Sequence, residues 1–158
     1  MPTSHVPSPT HAPRLYCTRY RAPAMCPLCH AHRHPALIAE LSETYFIFGD
    51  NQGCPGWCTA ILKDHHEHLA ELSPDRQARI FRDVAAAAAA IRTTLGPLRL
   101  NYECLGNVVP HIHWHIIPRH LNDPTPRETV WNWPPARLKG TLTDEDRAAL
   151  IARLRAAL

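Results

Sequence analysis

The amino-acid sequence predicts an α+β fold, with an antiparallel sheet of about five strands, one long helix packed on it and a C-terminal helix. Three observations carry this reading. Short runs rich in β-branched and aromatic residues alternate with Gly, Pro and Asn turns. One long stretch from Ser73 holds apolar residues at helical spacing. The two strand-like runs after it are joined by a short loop around Gly106-Asn107, which suits antiparallel pairing.

Taken in order, residues 1–22 combine Pro, Ser, Thr and His with few apolar side chains and are expected to form a flexible arm, because too little surface can be buried to offset ordering. A single domain is expected over 23–158. Thr44 to Phe48 reads as a strand, Gly49 to Gly56 as a loop, and Trp57 to Leu62 as a returning strand. Ser73 as N-cap, Pro74 at the first helical position and Asp75 in the first turn open a helix. Its stripe of Ile80, Val84, Ala88, Ile91 and Leu95 faces a core, the run Ala85 to Ala90 allows close packing, and Gly96-Pro97 ends it. Leu98 to Cys104 and Val108 to Ile117 read as two further strands. Leu121 to Pro135 is Pro-rich and irregular, and Thr143 with Asp146 forms a capping-box pattern that opens a helix through Leu158.

Composition narrows the function. A chain of 158 residues buries roughly 70% of its unfolded surface, so no disulfide scaffold is needed. No run approaches the roughly 18 apolar residues of a membrane span, and no membrane partner is expected. A net charge of +3 with basic and acidic residues intermixed argues against a nucleic-acid partner. Six Cys with no apolar leader at the N-terminus suggest reduced thiols or metal ligands, and a cytoplasmic location.

The 16 Pro and 12 His depart from ordinary usage, and the histidines concentrate the chemistry. In His111-Ile112-His113-Trp114-His115-Ile116-Ile117, strand alternation puts three imidazoles on one face, about 6–7 Å apart, and Ile112, Trp114 and Ile116 on the other. Two chemistries use such a row. Three imidazoles can hold a catalytic zinc with one open position. Alternatively, one imidazole nitrogen acts as a nucleophile among donors that orient it and meet phosphate oxygens. The spacing permits both.

That seven-residue run resembles the signature of the histidine triad (HIT) superfamily of nucleotide hydrolases and transferases. The likeness extends to Phe48-Gly49-Asp50, Pro55-Gly56, the strand Thr59 to Lys63, Lys63-Asp64-His65, Leu69 to Leu72, and Asn101 with Gly106-Asn107, covering about residues 24–135. It implies a HIT-like fold and a homodimer. It further implies attack by His113 on the α-phosphorus of a dinucleoside polyphosphate or nucleoside phosphoramidate, as in diadenosine tetraphosphate hydrolases, through a nucleotidyl-histidine intermediate. His115 would meet the phosphate or assist the leaving group, and His111 would orient the nucleophile. Asp50 would bind the ribose hydroxyls, while Asn101 and Asn107 complete the nucleotide site. Val108 stands where several relatives carry Ser or Thr, so a hydroxyl contact is missing. Arg119 lies just past the triad, within reach of a polyphosphate.

Cys26-Pro27-Leu28-Cys29 is a C-x₂-C pair, weak as a metal motif by itself. By resemblance to bacterial relatives, Cys26, Cys29, His65 and His111 would hold a structural zinc in a closed tetrahedral set, with no metal required for catalysis. Trp131 and Trp133 resemble segments that cap the nucleotide site or cross to a partner subunit. A nucleotide-binding sensor with little turnover and a zinc-dependent hydrolase using the triad as ligands are the alternative functions. A nucleophilic imidazole must be unprotonated, so the rate should fall below about pH 6–7.

Overall fold

The structure is a computed structural model that describes residues 25–158; the expected N-terminal arm lies outside the described residues. Five strands form one sheet: β1 (Leu37–Glu40), β2 (Thr44–Phe48), β3 (Cys58–Leu62), β4 (Arg99–Glu103) and β5 (His113–Arg119). Their order is β1-β2-β3-β5-β4 and every neighbouring pair is antiparallel. β1, with a register shift between Leu37 and Ala39, has no alternating pattern to give it away.

Helix α1 (Pro74–Leu95) forms as its signals require. The Ser73 hydroxyl accepts the Arg76 amide, and Gly96 closes the helix in the left-handed region at φ +57°. Ile80, Val84, Ala88 and Ile91 are buried against Phe46, Phe48, Ala60, Leu62, Trp114 and Ile116, the main core on one face of the sheet. Ala87 and Ala90 are buried too, the small side chains that let α1 lie close. At the start of the sheet, the buried Asp83 of α1 accepts from the amides of Glu43 and Thr44 at 2.7 and 2.9 Å. A short helix α2 (Pro135–Lys139) follows the Pro-rich stretch, and α3 (Asp144–Ala156) is capped by Thr143, whose hydroxyl accepts the Asp146 amide; it ends two residues before the expected Leu158.

The opposite face carries two small clusters with a gap between them. One joins Ala31 to Ile47 and Ile61; the other joins Cys54 and Trp57 to Ile117, Val130 and Trp133. The histidine strand crosses this gap. It starts later than expected, at His113 instead of Val108, because Pro110 offers no amide and Gly106 turns the chain at φ +67°. Beyond the regular ladder the Ile112 amide donates to the His66 carbonyl.

Candidate active site

His113 and His115 stand on β5 opposite Ile61 and Thr59 of β3, so both rings face the gap while Trp114 and Ile116 pack under α1. The rings are nearly perpendicular, with centroids 5.0 Å apart. His113 Nδ1 lies 2.6 Å from the His111 carbonyl. A carbonyl can only accept, so Nδ1 carries the proton and Nε2 keeps its lone pair. Burial holds the His113 pKa below the usual imidazole value, against the opposing pull of that carbonyl, so the expected acid loss of the nucleophile shifts to lower pH.

His115 has the opposite polarity. The Trp57 indole N–H donates to His115 Nδ1 at 3.2 Å, leaving Nε2 to carry the proton of a neutral ring. Burial, then the neighbouring His113, push its pKa down to about 4. Trp131 closes the third side, 5.1 Å from His115 and 5.3 Å from Trp57, and its indole N–H donates to the Glu103 carboxylate.

Two cavities flank this pair and share Asn51, Val109, His113 and His115. The first, about 260 Å³, is lined on its far side by Leu28, Ile47 and Ile61, with Asp50 at its mouth. The second, about 490 Å³, adds Leu105, Asn107, Val108 and Trp131. The structure therefore gathers His113, His115, Asp50 and Asn107 around one gap. Asp50 is largely exposed, with Arg147 of α3 3.8 Å from its carboxylate. Asn101 lines neither cavity; its Oδ1 accepts from Arg119 Nη1 at 2.9 Å. Arg119 itself is buried by Asp123, Asn101 and the carbonyls of Thr125 and Glu128, and so is not displayed to a polyphosphate. Trp133 packs with Trp57 and Ile117, while Trp131 walls the second cavity.

The first histidine of the triad turns away from the gap. His111 is buried, and its Nε2 lies 2.8 Å from the Leu62 carbonyl, so Nε2 donates and the Nδ1 lone pair faces Cys26 Sγ at 3.4 Å and Cys29 Sγ at 3.6 Å. His65 Nδ1 lies 3.4 Å from Cys29 Sγ. Donor atoms of Cys26, Cys29, His65 and His111 all fall within 4.8 Å of one another. These distances match the edges of a tetrahedral site, and two thiolates with two imidazoles are the donor set zinc prefers. Burial and the neighbouring Cys26 push the Cys29 thiol up to about 12, an environment that a dication would reverse. His111 sits near 4, held down by burial and by His65, His113 and His66, against the Leu62 carbonyl, and so offers a neutral lone pair. The residues fit a structural zinc. Among the described residues, the side chains whose donor atoms converge in this way are Cys26, Cys29, His65 and His111, which groups His111 with the cysteines and not with His113 and His115.

A family model described as the HIT domain matches residues 33–122, more than half of the chain. The chain belongs to the HIT family. Solved HIT structures share its fold. A histidine triad protein of Sinorhizobium meliloti superposes with a TM-score of 0.71 at 24% identity, over 82% of this chain and 93% of that one. A HIT family member of Bacillus subtilis gives 0.58 at 25%, over 84% and 96%. A zinc-bound histidine triad family protein of Mycobacterium smegmatis gives 0.62 at 23%, over 85% and 96%. Among curated proteins, no sequence matches the chain. No helix among the described residues of this HIT protein is long and apolar enough to cross a membrane.

Two residues that position this site escaped the sequence reading. Trp57 follows the Pro55-Gly56 turn, where Gly56 takes φ +92°, and nothing local announces a contact with a histidine 58 positions away. Gln52 is buried, its amide donating to the carbonyls of Gly49 and Trp57 and accepting the Gly56 amide, so it ties the Asp50 loop to Trp57.

Proposed function

We propose that this HIT protein is a nucleotide hydrolase or nucleotidyl transferase acting at the α-phosphorus of dinucleoside polyphosphates or nucleoside phosphoramidates. The observation that carries the reading is the opposed polarity of the paired imidazoles: a lone pair on His113 Nε2 beside an N–H on His115 Nε2. Attack by His113 Nε2 forms a N–P bond as the bond from phosphorus to the leaving group breaks, and the leaving group departs with that electron pair and takes a proton. Water then cleaves the N–P bond, releasing the nucleoside monophosphate and restoring His113. One difficult displacement becomes two easier ones. The His115 N–H and the Asn107 amide suit the phosphoryl oxygens, where charge grows in the transition state. The apolar first cavity suits a base, with Asp50 accepting from ribose hydroxyls.

Zinc, when bound by Cys26, Cys29, His65 and His111, supplies cross-linking of the chain and no Lewis-acid step, since four protein ligands leave no open position. That a histidine triad family relative binds zinc supports a metal in this chain as well. We further propose a homodimer through the edge strand β4, where Tyr102 is half exposed and flanked by the exposed Leu98 and Leu105. The five cysteines among the described residues form no disulfide, which suits the reducing cytoplasm.

The test measures nucleoside monophosphate release from diadenosine tetraphosphate and from an adenosine phosphoramidate, comparing wild type with His113→Ala, each with and without chelator. Release by wild type alone, insensitive to brief chelation, is expected. Nucleotide binding without release by wild type would instead identify a sensor.

A further inference from the structure

We propose that Trp57 is a positioning residue for His115: its indole N–H holds that imidazole neutral, with its single proton on Nε2, beside the lone pair of His113. An indole nitrogen can only donate, so the 3.2 Å contact is possible only when Nδ1 of His115 is an acceptor. Protonating Nδ1 would set N–H against N–H in a buried place.

Trp57 is built to hold this contact. It is buried, its carbonyl accepts from the Gly49 amide at 3.0 Å and the Gln52 side chain at 2.8 Å, and its amide donates to the Cys54 carbonyl. The indole packs on Ile117, Val130 and Trp133, none of which can take its proton through a side chain. Trp57 and His115 meet edge to face at 83°, and Trp131 leans on both. The groups facing His115 are His113 on its own strand, Trp57 from the loop just before β3, Trp131, and Glu103, its register partner on β4, which receives the Trp131 indole. Glu103 would favour a cation at His115, and Trp57 opposes it. Without Trp57 the two adjacent imidazoles would no longer be held to opposite polarity, and His115 would sample a state that offers phosphate a second lone pair.

The consequence for turnover rests on the hydrolase reading; the tautomer does not. ¹⁵N NMR of the full chain at neutral pH reads it directly, with the His115 signals identified by their loss in His115→Asn. Wild type should show Nδ1 unprotonated and Nε2 protonated in one neutral form. In Trp57→Phe, which keeps an aromatic ring and removes the donor, His115 should show exchanging tautomers and form its cation at higher pH. The acid limb of its kcat profile should move up with it, and kcat should fall about threefold or more with KM nearly unchanged. An Nδ1-protonated or cationic His115 in wild type overturns the proposal, and this arm needs no variant to fold. A folded Trp57→Phe with unchanged tautomer, pH profile and kcat overturns it as well. If wild type releases no nucleotide, the hydrolase reading fails while the spectra still decide whether Trp57 orients His115.

Discussion

The ring of His111 reaches toward two cysteines while its main-chain carbonyl takes the Nδ1 proton of His113, so one residue links the sulfur cluster to the proposed nucleophile. Zinc at Cys26, Cys29, His65 and His111 would therefore fix both the loop that carries His65 and the backbone that aims His113. Elemental analysis should find one zinc per chain. Cys29→Ser should lose it and melt about 5–10 °C lower, as expected for a lost structural metal. A Cys29→Ser protein that keeps both zinc and melting temperature would sink this assignment.

His113→Ala removes the only imidazole of the pair whose Nε2 lone pair is set by the backbone. Turnover should drop by about a thousandfold or more, while nucleotide affinity by calorimetry stays within a few-fold, because Leu28, Ile47 and Ile61, which line the first cavity, and Asp50 beside them are untouched. A variant that keeps a tenth of wild-type turnover would exclude His113 as nucleophile.

The histidine strand was legible because alternation is a local rule, and it correctly set Trp114 and Ile116 against α1. It holds at Ile112 too, buried beside Trp114 and Ile116, although alternation alone does not say that the His111 ring meets the cysteines and not the gap. The capped helices were legible because Ser73, Gly96 and Thr143 act on their nearest neighbours. β1 is four residues with a register shift, held by β2 and by its place in the sheet, so no pattern revealed it. Arg119 and Asn101 read as ligand contacts one at a time, yet across β5 and β4 they bond to each other. Such pairings belong to the register, which single residues do not announce.

Acid should destabilise the protein through His115. Its pKa is near 4 when folded, against an ordinary value of 6.5, because burial and His113 disfavour the cation. Between those values the unfolded chain binds a proton that the folded chain refuses. Stability from this group is therefore complete above about pH 6.5 and is lost as pH falls toward 4, by at most about 1.4 kcal/mol per pH unit. Urea midpoints at pH 7.5, 5.5 and 4.5 should decline less steeply in His115→Gln than in wild type; parallel declines would count against the assignment.

Asp83 clamps α1 to the turn between β1 and β2. One carboxylate oxygen accepts the Glu43 and Thr44 amides and, at 3.1 Å, the Thr44 hydroxyl, in a place where Asp83 and Thr44 are both buried. Asp83→Ala strands those donors and should cost about 2–4 kcal/mol by urea denaturation. Asp83→Asn keeps an acceptor oxygen and should recover part of that loss. Equal stability of Asp83→Ala and wild type would show that water replaces the carboxylate.

β4 is the edge of the sheet next to the histidine strand, and its outer hydrogen-bonding groups have no neighbour within the described residues. A bare edge with Tyr102 half exposed and Leu98 and Leu105 beside it invites pairing with a second copy. Two-fold pairing would bring β4 against its own equivalent, so a charge placed there meets itself. Tyr102→Asp should convert the proposed dimer to monomer in sedimentation velocity, with at most a small change in melting temperature of the separated chain, because the side chain is not part of the core. Glu103, one residue on, supports Trp131 beside His115, so dissociation should also lower turnover through that wall. A Tyr102→Asp protein that stays dimeric would place the interface elsewhere.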